Sequence, residues 1–292
     1  MKLLDKTYLE GGYTMKTLKL LAFSLLAIGF SFSQELVSKQ VKKVPLDPFD
    51  GAWRKAKEID VSLAGQSVTA PMQLKPTVKS VKVKSLNDGK SIAFLLVWDD
   101  PTEDSFHTIG KLSDAVAVQI PYIPSTDVSV TMGDKGKRVL ILHWTAARQE
   151  NIDKGYADVS KIYPNATYDW YPHATPPHKY PEDWANQYAL SYIGGEKVFR
   201  KNTLTTPIRE VVAEGFGSST WKDIQGAEGK GVYKGGKWYV VIKRAFVEEN
   251  TSNPDWGPGK ETFITFAVWD GSAGDVGARK ALSYSWIPLK VE

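Results

Sequence analysis

The stretch TVKSVKVKSLNDGKSIAFLLVW, residues 77–98, carries the pattern that decides the fold. Over residues 77–85 valine alternates with lysine, which is typical of a β-strand buried on one face. Asn87-Asp88-Gly89-Lys90 has the composition of a hairpin turn. Residues 92–98 are continuously apolar, as expected of a strand that is buried on both faces. The segment therefore predicts two adjacent antiparallel strands.

Similar runs recur along the rest of the chain, separated by turns such as Lys234-Gly235-Gly236-Lys237 and Asp270-Gly271-Ser272. They predict further strands at residues 115–120, 128–131, 139–144, 231–233, 238–244, 262–269 and 281–289. Amphipathic helical patterns are scarce. Many short strands at this spacing predict a mainly β protein, an antiparallel β-sandwich.

The two ends of the chain and one internal stretch depart from this pattern. Residues 16–33 resemble a secretory signal, with a short apolar core and Ser31 and Ser33 at the positions before a cut after Ser33. The upstream extension then suggests that translation starts at Met15. We expect a flexible leader over 34–48 and a single domain over 49–292. That domain contains an irregular insertion, rich in proline and aromatic residues, at about 156–199.

Composition excludes several classes of function. The whole chain has 37 basic and 33 acidic residues, and removing residues 1–33 takes away four lysines and two acids, leaving 33 and 31. A near-neutral chain without a basic run is a poor candidate for binding nucleic acid or an anionic membrane. The absence of cysteine excludes disulfides, thiolate iron–sulfur clusters and covalent haem attachment. No phosphate-binding glycine loop or nucleophile elbow is present.

Met132 is unusual for its position, because it lies in the polar turn Thr131-Met132-Gly133-Asp134. A thioether on a loop of an exported chain is a candidate axial ligand of haem iron. The alternative is a methionine that folds back onto the edge of the sheet. His143 and Trp144, at the end of an apolar strand, are candidates for the wall of a pocket or for the core. Lys280 follows a glycine-rich loop, and taken alone it is an ordinary surface lysine.

Seven short motifs occur in a fixed order. They are LLVWDD at 95–100, SDAVAVQ at 113–119, MGD at 132–134, LHW at 142–144, AEGFG at 213–217, WYVV at 238–241 and FAVWDG at 266–271. This series resembles the haem-b-binding γ subunit of type II dimethyl-sulfoxide-reductase-family molybdoenzymes. That group includes ethylbenzene, dimethyl sulfide, selenate and chlorate enzymes. The resemblance extends over nearly the whole mature chain, with the insertion as its main departure.

The resemblance implies a cytochrome-type, DOMON-like sandwich with one non-covalent haem b between a methionine and a lysine. The methionine corresponds to Met132 and the lysine to Lys280, with Lys243 and Lys230 as rivals; His143 and Trp144 are expected to contact the haem. It further implies a periplasmic, non-catalytic electron-transfer subunit. Its partners would be a molybdopterin catalytic subunit, an iron–sulfur subunit and a soluble cytochrome or another periplasmic carrier.

Two other functions remain open from the sequence. A β-sandwich carbohydrate-binding module would use exposed tryptophans as stacking platforms; the candidates are Trp98, Trp144, Trp170, Trp184 and Trp256. A structural protein would instead assemble through the aromatic insertion.

Overall fold

The computed structural model describes residues 34–107, 110–155 and 205–292. From Gln34 to Glu292 the chain belongs to one compact unit. The signal segment expected at 16–33 and the insertion expected at 156–199 lie outside the described residues. Within the described ranges, no helix is long and apolar enough to cross a membrane.

Fourteen strands and two short helices make up the described fold. The strands are β1 (Leu36–Gln40), β2 (Ile59–Ser62), β3 (Ala64–Gly65), β4 (Ser80–Asn87), β5 (Ser91–Asp99), β6 (Ala115–Pro121), β7 (Val139–Thr145), β8 (Ile208–Ala213), β9 (Thr220–Trp221), β10 (Glu228–Tyr233), β11 (Lys237–Ala245), β12 (Glu261–Trp269), β13 (Ala281–Leu282) and β14 (Ile287–Val291). A 3-10 helix spans Gly51–Lys55 and helix α1 spans Ala146–Lys154.

The strands form two sheets that continue into each other through β12. Sheet A has the order β10-β11-β5-β4-β1-β14-β12, with β2 also paired to β4. Sheet B runs from the second half of β12 through β6, β7, β8 and β9, and β13 and β3 extend it on the other side. All strand pairs are antiparallel except those of β1, which is parallel to both β14 and β4. The predicted β-sandwich is therefore confirmed.

The main core lies between the two sheets and follows from the alternation of apolar residues. Val83 and Phe94 of sheet A and Val116 and Leu142 of sheet B are all fully buried in one cluster. A second cluster covers the outer face of sheet A, where Trp53 of the 3-10 helix packs with other buried apolar residues. Burial of an apolar side chain of this size stabilises a fold by about 1.5–3 kcal/mol.

The flexible leader expected over 34–48 is corrected by the structure. Residues 36–40 form β1, whose parallel pairing with β4 and β14 uses its backbone hydrogen-bonding groups. Leu36 and Val44 are buried, at 0% and 2% exposure. Both apolar side chains therefore tie this segment to the fold.

Two of the predicted strands differ from the observed ones. Residues 128–131 are not a strand, because side chains occupy the carbonyls that a ladder would use: Trp286 Nε1 donates to Val128 O at 2.6 Å and Gln119 Nε2 to Val130 O at 2.9 Å. The run 281–289 is two strands, β13 and β14. They are separated at Ser283, whose Oγ donates to Ser285 O at 3.2 Å.

Candidate haem site

A cavity of about 500 Å³ lies on the outer face of sheet B, and we call it the outer cavity. Its floor consists of side chains that point away from the main core, at alternate positions of neighbouring strands. These include Ala117 and Gln119 of β6, Ile141 and His143 of β7, and Thr265 and Ala267 of β12. The register places Ala117 between Ala267 and His143. Two small side chains side by side leave room above this part of the sheet.

Met132 reaches the outer cavity from the loop between β6 and β7. Its backbone is in the left-handed region, with φ of +77°, a conformation that costs most non-glycine residues about 1–2 kcal/mol. Gly215 N donates to Met132 O at 2.8 Å, which fixes this turn. The side chain is half-buried and packs against Val128, Val139 and Ala213. Strained backbone of this kind concentrates at functional sites.

Lys280 lines the same cavity from the opposite loop, directly before β13. Gln66 holds this loop in place, since its backbone N donates to Lys280 O at 3.0 Å and its Nε2 to Ala278 O at 3.0 Å. The Nζ atom of Lys280 lies 4.9 Å from the centroid of the Trp269 ring. Burial lowers the pKa of Lys280 from 10.5 to about 8. The neutral amine is thus easier to obtain here than at the protein surface.

His143 lies on the floor of the outer cavity beside Trp269, with ring centroids 4.9 Å apart. Burial, followed by the positive charges of Arg148 and Lys280, lowers the pKa of His143 well below its ordinary value. Among the described residues its Nε2 atom has no hydrogen-bond partner. The floor of the outer cavity therefore holds a neutral imidazole with one buried ring nitrogen that forms no hydrogen bond with the described residues.

Trp144 does not line the outer cavity, in contrast to the expectation from the sequence. Successive side chains of a strand point to opposite faces, so Trp144 enters the main core, where it is 0% exposed. It packs edge-on against Trp238 at 5.0 Å and Trp98 at 6.4 Å. Trp144 is therefore a core residue in this fold.

The two rival lysines lie on a different sheet. Lys243 of β11 is paired with Glu228 at 3.2 Å, and Lys230 is an exposed residue of β10. Neither lines the outer cavity. Of the three candidate lysines, Lys280 is the one that shares a cavity with Met132.

Sequence reasoning missed three aromatic residues of the cavity. Trp269 is its inner wall, while Phe216 and Trp221 lie at its mouth with exposures of 50% and 63%. Trp269 could have been found from the sequence. In β12 its side chain points to the face opposite that of the core residue Val268, and it directly precedes the loop that carries Lys280. Trp221 gave no comparable signal, since the two-residue strand β9 shows no alternation.

The tryptophans considered as carbohydrate platforms do not form an exposed surface in the described part of the chain. Trp98, Trp144 and Trp256 are buried, at 2%, 0% and 4% exposure. Trp170 and Trp184 lie outside the described residues. The exposed Trp221 has the guanidinium of Arg209 4.2 Å from its ring centroid.

Comparison with known proteins identifies the family. Residues 50–281 match the family model described as ethylbenzene dehydrogenase. The chain belongs to this family. The match spans most of the described fold, from the 3-10 helix to β13, and it includes Met132, His143 and Lys280.

One curated relative is a protein of Haloferax mediterranei whose name assigns it, provisionally, as the respiratory nitrate reductase heme subunit ORF7. Our chain is 20% identical to that protein over 240 residues. The matched residues cover 82% of our chain and 66% of the relative, just under two-thirds of the relative's length. Among solved structures, the chain is similar to a family 9 carbohydrate-binding module from Caldicellulosiruptor kristjanssonii in complexes with glucose and with cellotriose. Each has a TM-score of 0.40 and 10% identity; the matches cover 89% of this chain and 96% and 94% of the module.

Proposed function

We propose that this chain is the haem-binding, non-catalytic electron-transfer subunit of a molybdenum oxidoreductase complex. One haem b would bind in the outer cavity, with Met132 and Lys280 as axial ligands and His143 in contact with it. The observation that carries the proposal is that a methionine and a lysine on opposite loops line one cavity of about 500 Å³. That volume is within the range of about 300–1,000 Å³ typical of ligand pockets.

The residues of the cavity fit such a group. The lining of the outer cavity is mainly apolar, as a porphyrin face requires, and His143 on its floor has a buried Nε2 atom without a hydrogen-bond partner among the described residues. Lys280 can bind iron only as a neutral amine, and its lowered pKa reduces the cost of losing the proton. Held by the Met132 thioether and the Lys280 amine, haem would supply one-electron transfer at a raised potential.

The absence of cysteine in the chain makes haem b the type that suits this protein, since covalent c-type attachment needs thiols. The family, and the relative named as a heme subunit, support a place in a respiratory molybdoenzyme complex. We propose that electrons pass between an iron–sulfur subunit, next to the molybdopterin catalytic subunit, and a soluble periplasmic cytochrome or another carrier. The signal-like segment at 16–33 supports export to the periplasm.

Reconstitution of the purified full chain with ferric haem tests this function. We expect one haem per chain and the absorption and electron paramagnetic resonance spectra of a low-spin, six-coordinate iron. Met132→Ala and Lys280→Ala should each convert the iron to a high-spin form or lose the haem. Met72→Ala and Lys243→Ala are matched controls outside the ligand pair, and they should keep the low-spin spectra.

The two parts of the proposal can fail separately. A chain that binds no haem under these conditions would contradict the proposed function. A chain that binds haem but keeps unchanged low-spin spectra in both Met132→Ala and Lys280→Ala would contradict the ligand assignment and leave the function standing.

A further inference from the structure

Three buried aspartates meet where the two sheets approach each other, outside the outer cavity. Asp100 follows β5, Asp114 precedes β6 and Asp270 follows β12. Their exposures are 1%, 0% and 2%. One carboxylate oxygen from each lies within 4.8 Å of those of the other two. We call these residues the aspartate cluster.

Asp114 and Asp270 each have one carboxylate oxygen with a single hydrogen-bond donor among the described residues: Asp114 Oδ1 accepts from Gly271 N at 2.8 Å and Asp270 Oδ2 from Thr77 Oγ1 at 2.5 Å. Their other oxygens have two donors each. Asp114 Oδ2 accepts from Asp104 N and Trp238 Nε1, at 2.8 and 2.9 Å, and Asp270 Oδ1 accepts from Ser272 Oγ and Ala273 N, at 2.7 and 3.0 Å. A carboxylate oxygen has two lone pairs, so these two oxygens are filled.

Asp100 differs from the other two aspartates in its second carboxylate oxygen. Its Oδ1 accepts from Thr102 N at 3.1 Å and from Thr102 Oγ1 at 3.5 Å. Its buried Oδ2 has no hydrogen-bond partner of good geometry among the described residues, although the Trp98 indole, whose Nε1 is also unpartnered, lies near enough to lower the pKa of this carboxyl. Leaving a buried charged oxygen without a partner is costly, so such an atom indicates a missing ligand.

The charge of the cluster is also uncompensated by protein. Neighbouring aspartates do form ion pairs, Asp99 with Lys237 and Asp275 with Arg279. In the described part of the chain, none of the three cluster residues forms one. Burial, with the charge of Asp270, raises the pKa of Asp100 to about 6, and burial, with the charge of Asp100, raises the pKa of Asp114 to about 7. A cation in the cluster would remove this repulsion.

We propose that the aspartate cluster binds a calcium ion that links β5, β6 and β12. Calcium takes oxygen ligands at about 2.3–2.6 Å, so two ligands on opposite sides of one ion are about 5 Å apart. The 4.8 Å limit on the cluster's oxygens is compatible with that span. The cluster offers no nitrogen or sulfur donor, which disfavours transition metals. Its burial disfavours magnesium, because magnesium retains several waters.

The test uses the full chain without added haem, stripped with a chelator and then titrated with calcium alone. At about one hundred times the dissociation constant, calcium should raise the unfolding midpoint by about 5–10 °C. Terbium, used as a calcium substitute, should show luminescence sensitised by Trp238, because its Nε1 donates to Asp114 at 2.9 Å. Calcium should displace the terbium, and magnesium should do so much less.

Asp100→Asn and Asp270→Asn should abolish the calcium-dependent shift and the terbium signal. Asp99→Asn is the matched control, because Asp99 is adjacent to Asp100 but its side chain is 82% exposed; both responses should persist. Each cluster variant removes a buried negative charge, so the metal-free protein should remain folded, with a midpoint equal to or above that of wild type. Wild type that binds no calcium, or cluster variants that respond as Asp99→Asn does, would overturn the proposal.

Discussion

Lys280 and Trp269 lie together in the outer cavity, with the Nζ atom of Lys280 4.9 Å from the centroid of the indole ring. A charged amine at such a position gains cation–π attraction but loses hydration. The loss is larger, since burial lowers the pKa of Lys280 from 10.5 to about 8. In the protein without haem, the charged Lys280 amine therefore lowers the free energy of unfolding.

Replacing Lys280 should stabilise the haem-free protein while removing its proposed iron ligand. The folded-state pKa is below the unfolded one, so the unfolded state binds more protons between pH 8 and 10.5, and stability rises with pH in that window. Lys280→Leu should abolish this rise and increase the free energy of unfolding at neutral pH by up to about 3 kcal/mol. Urea unfolding at both ends of the window measures the effect. A Lys280→Leu protein that is less stable than Lys243→Leu at neutral pH would contradict it.

An alanine variant is usually more stable than a glycine variant, but the backbone conformation of Met132 should reverse this order of stability. Because its φ is +77°, alanine keeps the left-handed strain whereas glycine does not. Met132→Gly should therefore be more stable than Met132→Ala by about 1 kcal/mol. Urea unfolding of the haem-free variants measures this difference. Equal stabilities, or a more stable alanine variant, would mean that the loop relaxes out of the left-handed conformation.

The hairpin at residues 77–98 was predictable because its signals are local: alternation, a turn sequence and an apolar run. Observed strands β4 and β5 lie within a few residues of the predicted ones. β1 was not predictable in the same way. Its five residues pair with β4 and β14, which are distant in the chain, so tertiary pairing rather than local propensity makes it a strand.

The candidate site, too, was predictable only as far as local sequence signals reach. Met132 and His143 were candidates from their sequence context and Lys280 from the family resemblance, and the fold brings all three to one cavity. Trp144 was placed in the pocket with His143 because the two are neighbours in the motif, but alternation sends it to the opposite face. The aspartate cluster could not be found from sequence, since its three members come from separate strand ends and become neighbours only after folding.

His143 should make the haem-free protein sensitive to mild acid. Its pKa in the fold is well below 6.5, the ordinary value. As the pH falls below 6.5, the unfolded state takes up a proton that the folded state does not, so stability is lost. His143→Gln should flatten the fall in unfolding free energy between about pH 6.5 and 5. Chemical unfolding at several pH values measures this dependence. His107→Gln, at an exposed position, is the matched control and should behave as wild type; identical slopes for both variants would contradict the prediction.

Trp144 of β7 should be sensitive to any added atom at Gly231, which lies on β10 of sheet A. A Cβ atom there would be 2.1 Å from Cζ2 of the indole. The indole cannot move away easily, because Gln149 Oε1 accepts from both Trp144 Nε1 and Gly231 N, at 3.3 and 2.9 Å. Gly231→Ala should therefore lower the free energy of unfolding by about 1–3 kcal/mol.

In the control variant Gly51→Ala, the new Cβ meets only the guanidinium end of Arg54, at 2.8 Å, and a flexible side chain can give way. Urea unfolding of the two variants, followed by Trp fluorescence, should separate them, and equal stabilities would show that the Trp144 contact is not tight.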